Sequence, residues 1–145
     1  MNMTFYRKLP VPKEVKEMFP VTKEIEQKRT ECVVNLKDVF SGKSDKFILV
    51  IGPCSADRED AVMEYIYKLK GVQDKVKDKI IIVPRIYTNK PRTTGEGYKG
   101  MLHQPDPNSA PDLMSGIIAI RRMHMRAIAE TGLGCADEML YPENH

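Results

Sequence analysis

Apolar residues first follow helical spacing and then gather into short continuous runs. A segment bracketed by prolines, residues 10–20, predicts a short helix. A longer helix is predicted from Val21, with Gly42 just beyond its end. Its apolar positions recur at helical intervals: Ile25, Cys32, Val33, Leu36 and Phe40.

Two continuous apolar runs, FILVIG (residues 47–52) and IIIVP (residues 80–84), predict strands that are buried on both faces. Between them, a helix with apolar positions Val62, Ile66 and Leu69 is expected to end at Gly71. Strands that alternate with helices favour right-handed crossovers and a parallel sheet, and thus an α/β fold.

A long segment without helix or strand periodicity, Tyr87 to Pro111, follows the second strand. A loop of this length inside a compact domain is usually functional. A helix is predicted over Leu113 to Thr131, closed by Gly132, and a third short strand over Cys135 to Leu140.

Composition narrows the class of protein. The chain has 145 residues, of which 41% are hydrophobic and 30% charged, and its net charge is +3. These values are ordinary for a globular protein, and the charge is too small to indicate a nucleic-acid partner. No apolar run is long enough to span a membrane, and no secretory leader is visible. The three cysteines lack a pairing framework, so we expect a reducing, cytoplasmic setting.

Chemically active side chains follow each predicted strand. Cys54 comes after the first strand, Arg85 and Lys90 after the second, and Glu138 ends the third. The carboxyl ends of parallel strands share one edge of a sheet, where ligands bind. Cys54 could bind a divalent metal or act as a nucleophile, and a buried structural cysteine is the alternative.

Charge is concentrated near the same predicted edge. Residues 81–100 carry four cations against the single acid Glu96: Arg85, Lys90, Arg92 and Lys99. This surplus favours an anionic small ligand, with a solvated basic loop as the alternative. GEGYKG (residues 95–100) fits a dinucleotide-binding pattern by letter only, because it neither leaves a strand nor opens a helix.

Three motifs together carry a family resemblance. IGPCS (Ile51–Ser55), PRIYTNKPRTTGEGYKG (Pro84–Gly100) and TGLGCADEMLYPEN (Thr131–Asn144) closely resemble the class I 3-deoxy-D-arabino-heptulosonate-7-phosphate (DAHP) synthases. The resemblance implies a (β/α)₈ TIM barrel with an N-terminal extension. Residues 1–45 would form the helical extension, and residues 46–145 the first three strands and two helices of the barrel, which is truncated because a whole one needs roughly 200 residues or more.

The resemblance also implies a reaction. The family condenses phosphoenolpyruvate with erythrose 4-phosphate, the first step of the shikimate pathway to the aromatic amino acids, with the help of a divalent metal such as Mn or Fe. Cys54 matches the metal-binding cysteine of the family. Arg85 and Lys90 match residues that hold phosphoenolpyruvate and are the catalytic candidates. The remaining matches are a glutamate of the phosphoenolpyruvate pocket and the erythrose-4-phosphate contacts: Glu138, Pro91, Arg92 and Thr93.

The other metal ligands of the family come from later strands. We therefore expect the 145-residue chain to be inactive alone and to bind no metal by itself. An alternative is a non-enzymatic fragment that associates through an open barrel edge with a full-length synthase, a complementary half or another copy of itself. A third possibility is a small phosphate-binding module that keeps the cationic site.

Overall fold

A computed structural model describes residues 7–92 and 94–140. The described part is an α/β structure in which helices precede, connect and follow a small parallel sheet. Its elements in chain order are α1 (Pro12–Met18), α2 (Lys23–Phe40), β1 (Phe47–Ile51), α3 (Glu59–Val76), β2 (Ile80–Pro84) and α4 (Leu113–Thr131). No helix in the described part is both long and apolar enough to cross a membrane.

The two N-terminal helices occur where the sequence predicts them. Pro12 opens α1, and the backbone N–H of Val11 donates to the Glu14 carboxylate. The Thr22 hydroxyl accepts from the backbone N–H of Ile25 and thereby caps α2. The predicted apolar stripe of α2 is covered only in part, because Phe40 at its end is 84% exposed.

The sheet confirms the first two predicted strands. β1 and β2 are parallel neighbours, in register from Phe47 beside Ile80 to Ile51 beside Pro84. The prediction that β1 is buried on both faces is wrong, since Phe47, Val50 and Ile51 are exposed. In the described part of the chain no element fully covers these side chains, and β1 has a neighbouring strand on one edge only.

The helix between the strands is longer than predicted. It continues through Gly71 to Val76. A single helical glycine costs only about 1 kcal/mol relative to alanine, and the residues that follow it support a helix, so it does not terminate α3.

The last helix has the predicted bounds. The Asp112 carboxylate caps its first turn, and Gly132 in the left-handed conformation ends it. Gly116 brings α4 against the preceding loop, because a Cβ there would lie 1.7 Å from the carbonyl oxygen of Leu102. The centre of the core consists of fully buried side chains from α3, the long loop and α4: Met63, Ile66, Met101, Leu102 and Met123.

The predicted third strand over Cys135 to Leu140 is reduced to one bridge. Ala136 pairs in parallel with Arg85: the N–H of Ile86 donates to Ala136, and the N–H of Ala136 donates to Pro84. The pairing stops there because the Asp137 carboxylate accepts the backbone N–H of Thr88. This side-chain contact takes a donor that a longer ladder would need.

Candidate functional site

The candidate site lies where β1 and β2 end, and Gly52 brings their ends together. The backbone N–H of Arg85 donates to Ile51 at 2.8 Å, which extends the pairing of the two strands. A Cβ on Gly52 would lie 1.9 Å from the Arg85 carbonyl oxygen. Only a residue without a side chain therefore allows the turn after β1 to pass so close to Arg85.

Arg85 is held from three sides. Its Nη1 donates to the Pro53 carbonyl at 2.7 Å, and its Nη2 donates to the Glu138 carboxylate. The guanidinium also lies over the Tyr87 ring, 4.5 Å from the ring centre. These contacts use only some of the five N–H donors of an arginine, so the side chain is fixed and retains donors for an anion.

Lys90 and Cys54 meet at the same edge. The Lys90 ammonium nitrogen lies 2.7 Å from the Cys54 sulfur. This hydrogen bond lowers the pKa of the Cys54 thiol, and the charges of Lys90, Arg85 and Arg92 act in the same direction. Cys54 is exposed, so the alternative of a buried structural cysteine is wrong.

Hydrogen bonds hold the first half of the loop after β2 against the turn that follows β1. The N–H of Ala56 donates to Tyr87 at 2.7 Å, and the Tyr98 hydroxyl donates back to Ala56 at 3.1 Å. Burial raises the pKa of Tyr98 to about 12. Gly100, at φ +89°, allows the loop to double back so closely that a Cβ would lie 2.5 Å from the Thr88 carbonyl oxygen. The predicted functional loop is thus an ordered part of the site.

The other predicted residues lie further along this loop. Pro91 and Arg92 are exposed. The Arg92 Nε donates to the Tyr98 carbonyl at 2.8 Å, which holds the charged side chain along the loop. Thr93 lies outside the described residues. The structure therefore joins Cys54 to Lys90 and Arg85 to Glu138 by direct contact, and holds Arg92 on the loop.

One buried group at the site is not among the candidate residues that the motifs predict. The Asp137 side chain is only 7% exposed and contacts Thr88 and His124. Burial acts to raise its pKa, but hydrogen bonds from His124, Thr88 and the Glu138 backbone outweigh burial and lower it. The signal in the sequence that points to Asp137 is an acid that stands directly before Glu138 within the predicted third strand.

The comparison with protein families decides the identity. A sequence model described as the DAHP synthetase I family matches residues 18–144. This chain belongs to the DAHP synthetase I family.

Known relatives of the DAHP synthetase I family agree with this assignment. The Tyr-sensitive phospho-2-dehydro-3-deoxyheptonate aldolase of Escherichia coli is 28% identical over 144 residues, which are 99% of this chain and 40% of that protein. The phenylalanine-inhibited aldolase of Saccharomyces cerevisiae is 31% identical over 135 residues, 93% of this chain and 36% of that protein. The chain thus spans about 40% or less of the length of these relatives.

A solved structure shares the fold. The phospho-2-dehydro-3-deoxyheptonate aldolase from Francisella tularensis superimposes with a TM-score of 0.86 at 28% sequence identity. The superposition covers 96% of this chain and 40% of the Francisella protein. The described elements are therefore arranged as in a DAHP synthase over almost the whole of this chain.

The described residues of this DAHP synthetase family chain can be compared with the divalent metal site that the resemblance implies. Over residues 7–92 and 94–140, no group of three or more His, Cys, Asp or Glu side chains is placed to hold a metal ion. The Cys54 sulfur instead contacts the Lys90 ammonium and lies near further cations. A catalytic divalent ion needs several protein ligands, so these donors do not fit the metal that the resemblance implies.

Proposed function

We propose that this chain carries the phosphoenolpyruvate-binding part of a DAHP synthase. In this proposal, residues 1–45 are the helical extension and residues 46–145 the first part of a (β/α)₈ barrel. The observation that carries the proposal is the fixed placement of Arg85 and Lys90 at the carboxyl edge of β1 and β2, each in contact with a neighbouring site residue.

The chemistry of this edge suits phosphoenolpyruvate. The ligand carries a carboxylate and a phosphate, and therefore needs at least two cationic contacts. Arg85 offers a planar fork for either anion, and Lys90 offers a compact point charge. The Glu138 carboxylate, which accepts from Arg85, keeps the guanidinium aimed at the edge before a ligand arrives. Arg85 and Lys90 are accordingly our candidates for binding and catalysis.

The second substrate, erythrose 4-phosphate, is assigned to the loop. By family resemblance, Pro91, Arg92 and Thr93 would contact it. The hydrogen bond from Arg92 to the Tyr98 carbonyl supports this part of the proposal, since it holds a cation next to the Lys90 side of the site. Charge from both substrates would then be neutralised by cations on one edge of the sheet.

The complete condensation requires more than the described residues supply. The family metal would polarise an oxygen of the aldehyde substrate, and Cys54 is the residue that matches its cysteine ligand. The donors around Cys54 do not complete a metal site. We therefore propose that the 145-residue chain binds phosphoenolpyruvate without turning it over.

Calorimetry and an activity assay on the same purified chain test both parts. Titration with phosphoenolpyruvate is expected to give saturable heat with one ligand per chain. Addition of erythrose 4-phosphate and Mn²⁺ is expected to yield no heptulosonate phosphate. Absence of heat at millimolar ligand contradicts the binding proposal, and measurable turnover contradicts the proposed inactivity.

A second candidate function, association with a complementary part of a synthase, is favoured by one observation. Phe47, Val50 and Ile51 of β1 are exposed along the strand that has a neighbour on one edge only in the described part. An exposed apolar strand edge is a template for pairing with another chain. This candidate does not exclude the first, because it involves the apolar side chains of β1, whereas phosphoenolpyruvate would bind the charged groups of the cationic edge, which is formed by Arg85, Lys90 and Arg92.

A further inference from the structure

A buried carboxylate lies next to a residue of the candidate site in the sequence. Asp137 directly precedes Glu138, and its side chain is 7% exposed. Its Oδ1 accepts from the backbone N–H of Thr88 at 3.1 Å and from that of Glu138 at 2.7 Å. One oxygen thus joins the loop after β2 to the segment that contains Glu138.

The second oxygen extends this connection to α4. The Asp137 Oδ2 accepts from the Thr88 hydroxyl and lies 3.5 Å from the Nε2 of His124, a residue of α4. Thr88 is completely buried. A buried carboxylate with several hydrogen-bond donors is rigid, because any displacement leaves those donors without partners.

The partners of Asp137 lie close to both proposed ligand-binding cations, Arg85 and Lys90. Thr88 is two residues before Lys90, and Glu138 is the residue that accepts from Arg85. The Asn89 side chain adds a link, since its Nδ2 donates to the Glu138 carbonyl at 3.2 Å. The contact between Asp137 and Thr88 therefore links the segment that carries Lys90 to the segment whose Glu138 accepts from Arg85.

We infer that Asp137 is a positioning residue that fixes Arg85 and Lys90 relative to each other. This inference rests on the proposed phosphoenolpyruvate site. A ligand with two anionic groups needs both cations at one spacing, so loss of the anchor lowers its affinity. Asp137 itself does not touch the ligand; it acts through Thr88 and Glu138.

Calorimetric titration of phosphoenolpyruvate into the full chain and four variants tests this role. Asp137→Ala is expected to raise the Kd by about tenfold, because contacts of a charged group are lost. Asp137→Asn keeps an acceptor for both backbone N–H groups and is expected to restore the Kd to within about threefold of the wild type. This rescue distinguishes placement of the cations from a general effect of charge.

Glu59→Ala provides the matched control, and Thr88→Val provides a second test of the contact between Asp137 and Thr88. Glu59 is also a partly buried acid that pairs with α4, and its ion pairs within the described residues go to Arg122 and Arg126 and not to a site residue. Its loss is expected to lower the thermal midpoint and leave the Kd unchanged. Thr88→Val removes only the hydroxyl that donates to Asp137, so it tests the anchor even where Asp137→Ala does not fold. It is expected to raise the Kd about threefold.

The outcomes separate the inference from the proposal on which it rests. A wild-type chain that binds no phosphoenolpyruvate overturns the proposed function and the inference with it. A wild-type chain that binds, together with an unchanged Kd in Asp137→Ala or in Thr88→Val, overturns the inference alone. A Kd raised equally by Glu59→Ala also overturns it, since the effect would then follow stability.

Discussion

At the residue scale, the contact between Lys90 and Cys54 determines the chemistry of the exposed thiol. The ammonium nitrogen lies 2.7 Å from the sulfur, and this hydrogen bond lowers the pKa of Cys54. A cation beside a thiol favours the thiolate, which is the reactive form. In the described structure, the partner of Cys54 is therefore Lys90, the lysine that is proposed to bind phosphoenolpyruvate.

Replacement of Lys90 should make this thiol less acidic. In the wild type, alkylation of Cys54 is expected to persist at pH values below those of an ordinary thiol, because the lowered pKa keeps the thiolate present there. Lys90→Ala should move the midpoint of the pH–rate profile upward. Peptide mass spectrometry after iodoacetamide treatment measures the rate at Cys54 separately from the other cysteines.

Lys43→Ala is the control for the removal of a positive charge, since Lys43 lies in the turn after α2. Its profile should match that of the wild type. Equal midpoints in the wild type and Lys90→Ala would show that the lysine does not hold the thiolate.

Individual site residues differ in how far the sequence determines them. The sequence predicts one shared edge for the residues that follow the predicted strands, because the carboxyl ends of parallel strands lie together: Cys54, Arg85, Lys90 and Glu138. The structure joins Arg85 to Glu138 and Lys90 to Cys54 by direct contact, and the role of these residues in a functional site stays a prediction. Asp137 could not be assigned its contacts in this way, because its partners Thr88 and His124 are brought to it only by tertiary packing.

At the element scale, the sheet is correct in type and only partly correct in extent. Continuous runs of Ile and Val correctly predicted β1 and β2 and their parallel pairing. The third predicted strand fails because the pattern of apolar residues does not show that the Asp137 carboxylate will take a backbone donor. The prediction that β1 is buried is wrong for a related reason. A hydrophobic run does not show whether another element will cover the strand.

Replacement by alanine is expected to have opposite effects at two glycines, Gly52 in the turn after β1 and Gly71 in α3. Gly52→Ala would place a Cβ 1.9 Å from the Arg85 carbonyl oxygen, and backbone must shift to relieve the clash. We expect a loss of about 1–3 kcal/mol in the free energy of unfolding, as for an overpacked site. Urea denaturation measures this change.

Gly71→Ala supplies the matched control. A Cβ at Gly71 meets nothing within 4 Å, and the residue lies inside α3. Alanine there should increase the free energy of unfolding by about 0.5–1 kcal/mol, because it favours the helix. A Gly52→Ala chain as stable as the wild type would contradict the described contact.

At the scale of the whole molecule, the described part of the chain carries both a group of cations and exposed apolar side chains on β1. The cationic edge lies at the ends of β1 and β2, whereas Phe47 and Val50 of β1 are 67% and 52% exposed. Exposed apolar groups of this size on a strand favour association. The chain also spans about 40% of the length of the Escherichia coli aldolase that it matches.

The association candidate predicts binding to the remaining part of a relative. Co-expressed with the unmatched portion of the Escherichia coli aldolase, the chain is expected to co-elute with it in size-exclusion chromatography with light scattering. Phe47→Thr combined with Val50→Thr should reduce the complex, because the strand is kept while its apolar surface is lost. Val72→Thr, which alters a similarly exposed valine on α3, should leave it intact. Equal co-elution of all three chains would contradict a role for β1.

The central claim is that the cations at the ends of β1 and β2 bind phosphoenolpyruvate, and calorimetry of two arginine variants tests it most directly. Arg85→Ala removes the guanidinium between Pro53 and Glu138, whereas Arg29→Ala removes an exposed arginine of α2 that pairs with Glu26. The account predicts that Arg85→Ala raises the Kd by about tenfold or more and that Arg29→Ala leaves it unchanged. Equal affinities in the wild type and both variants would contradict it.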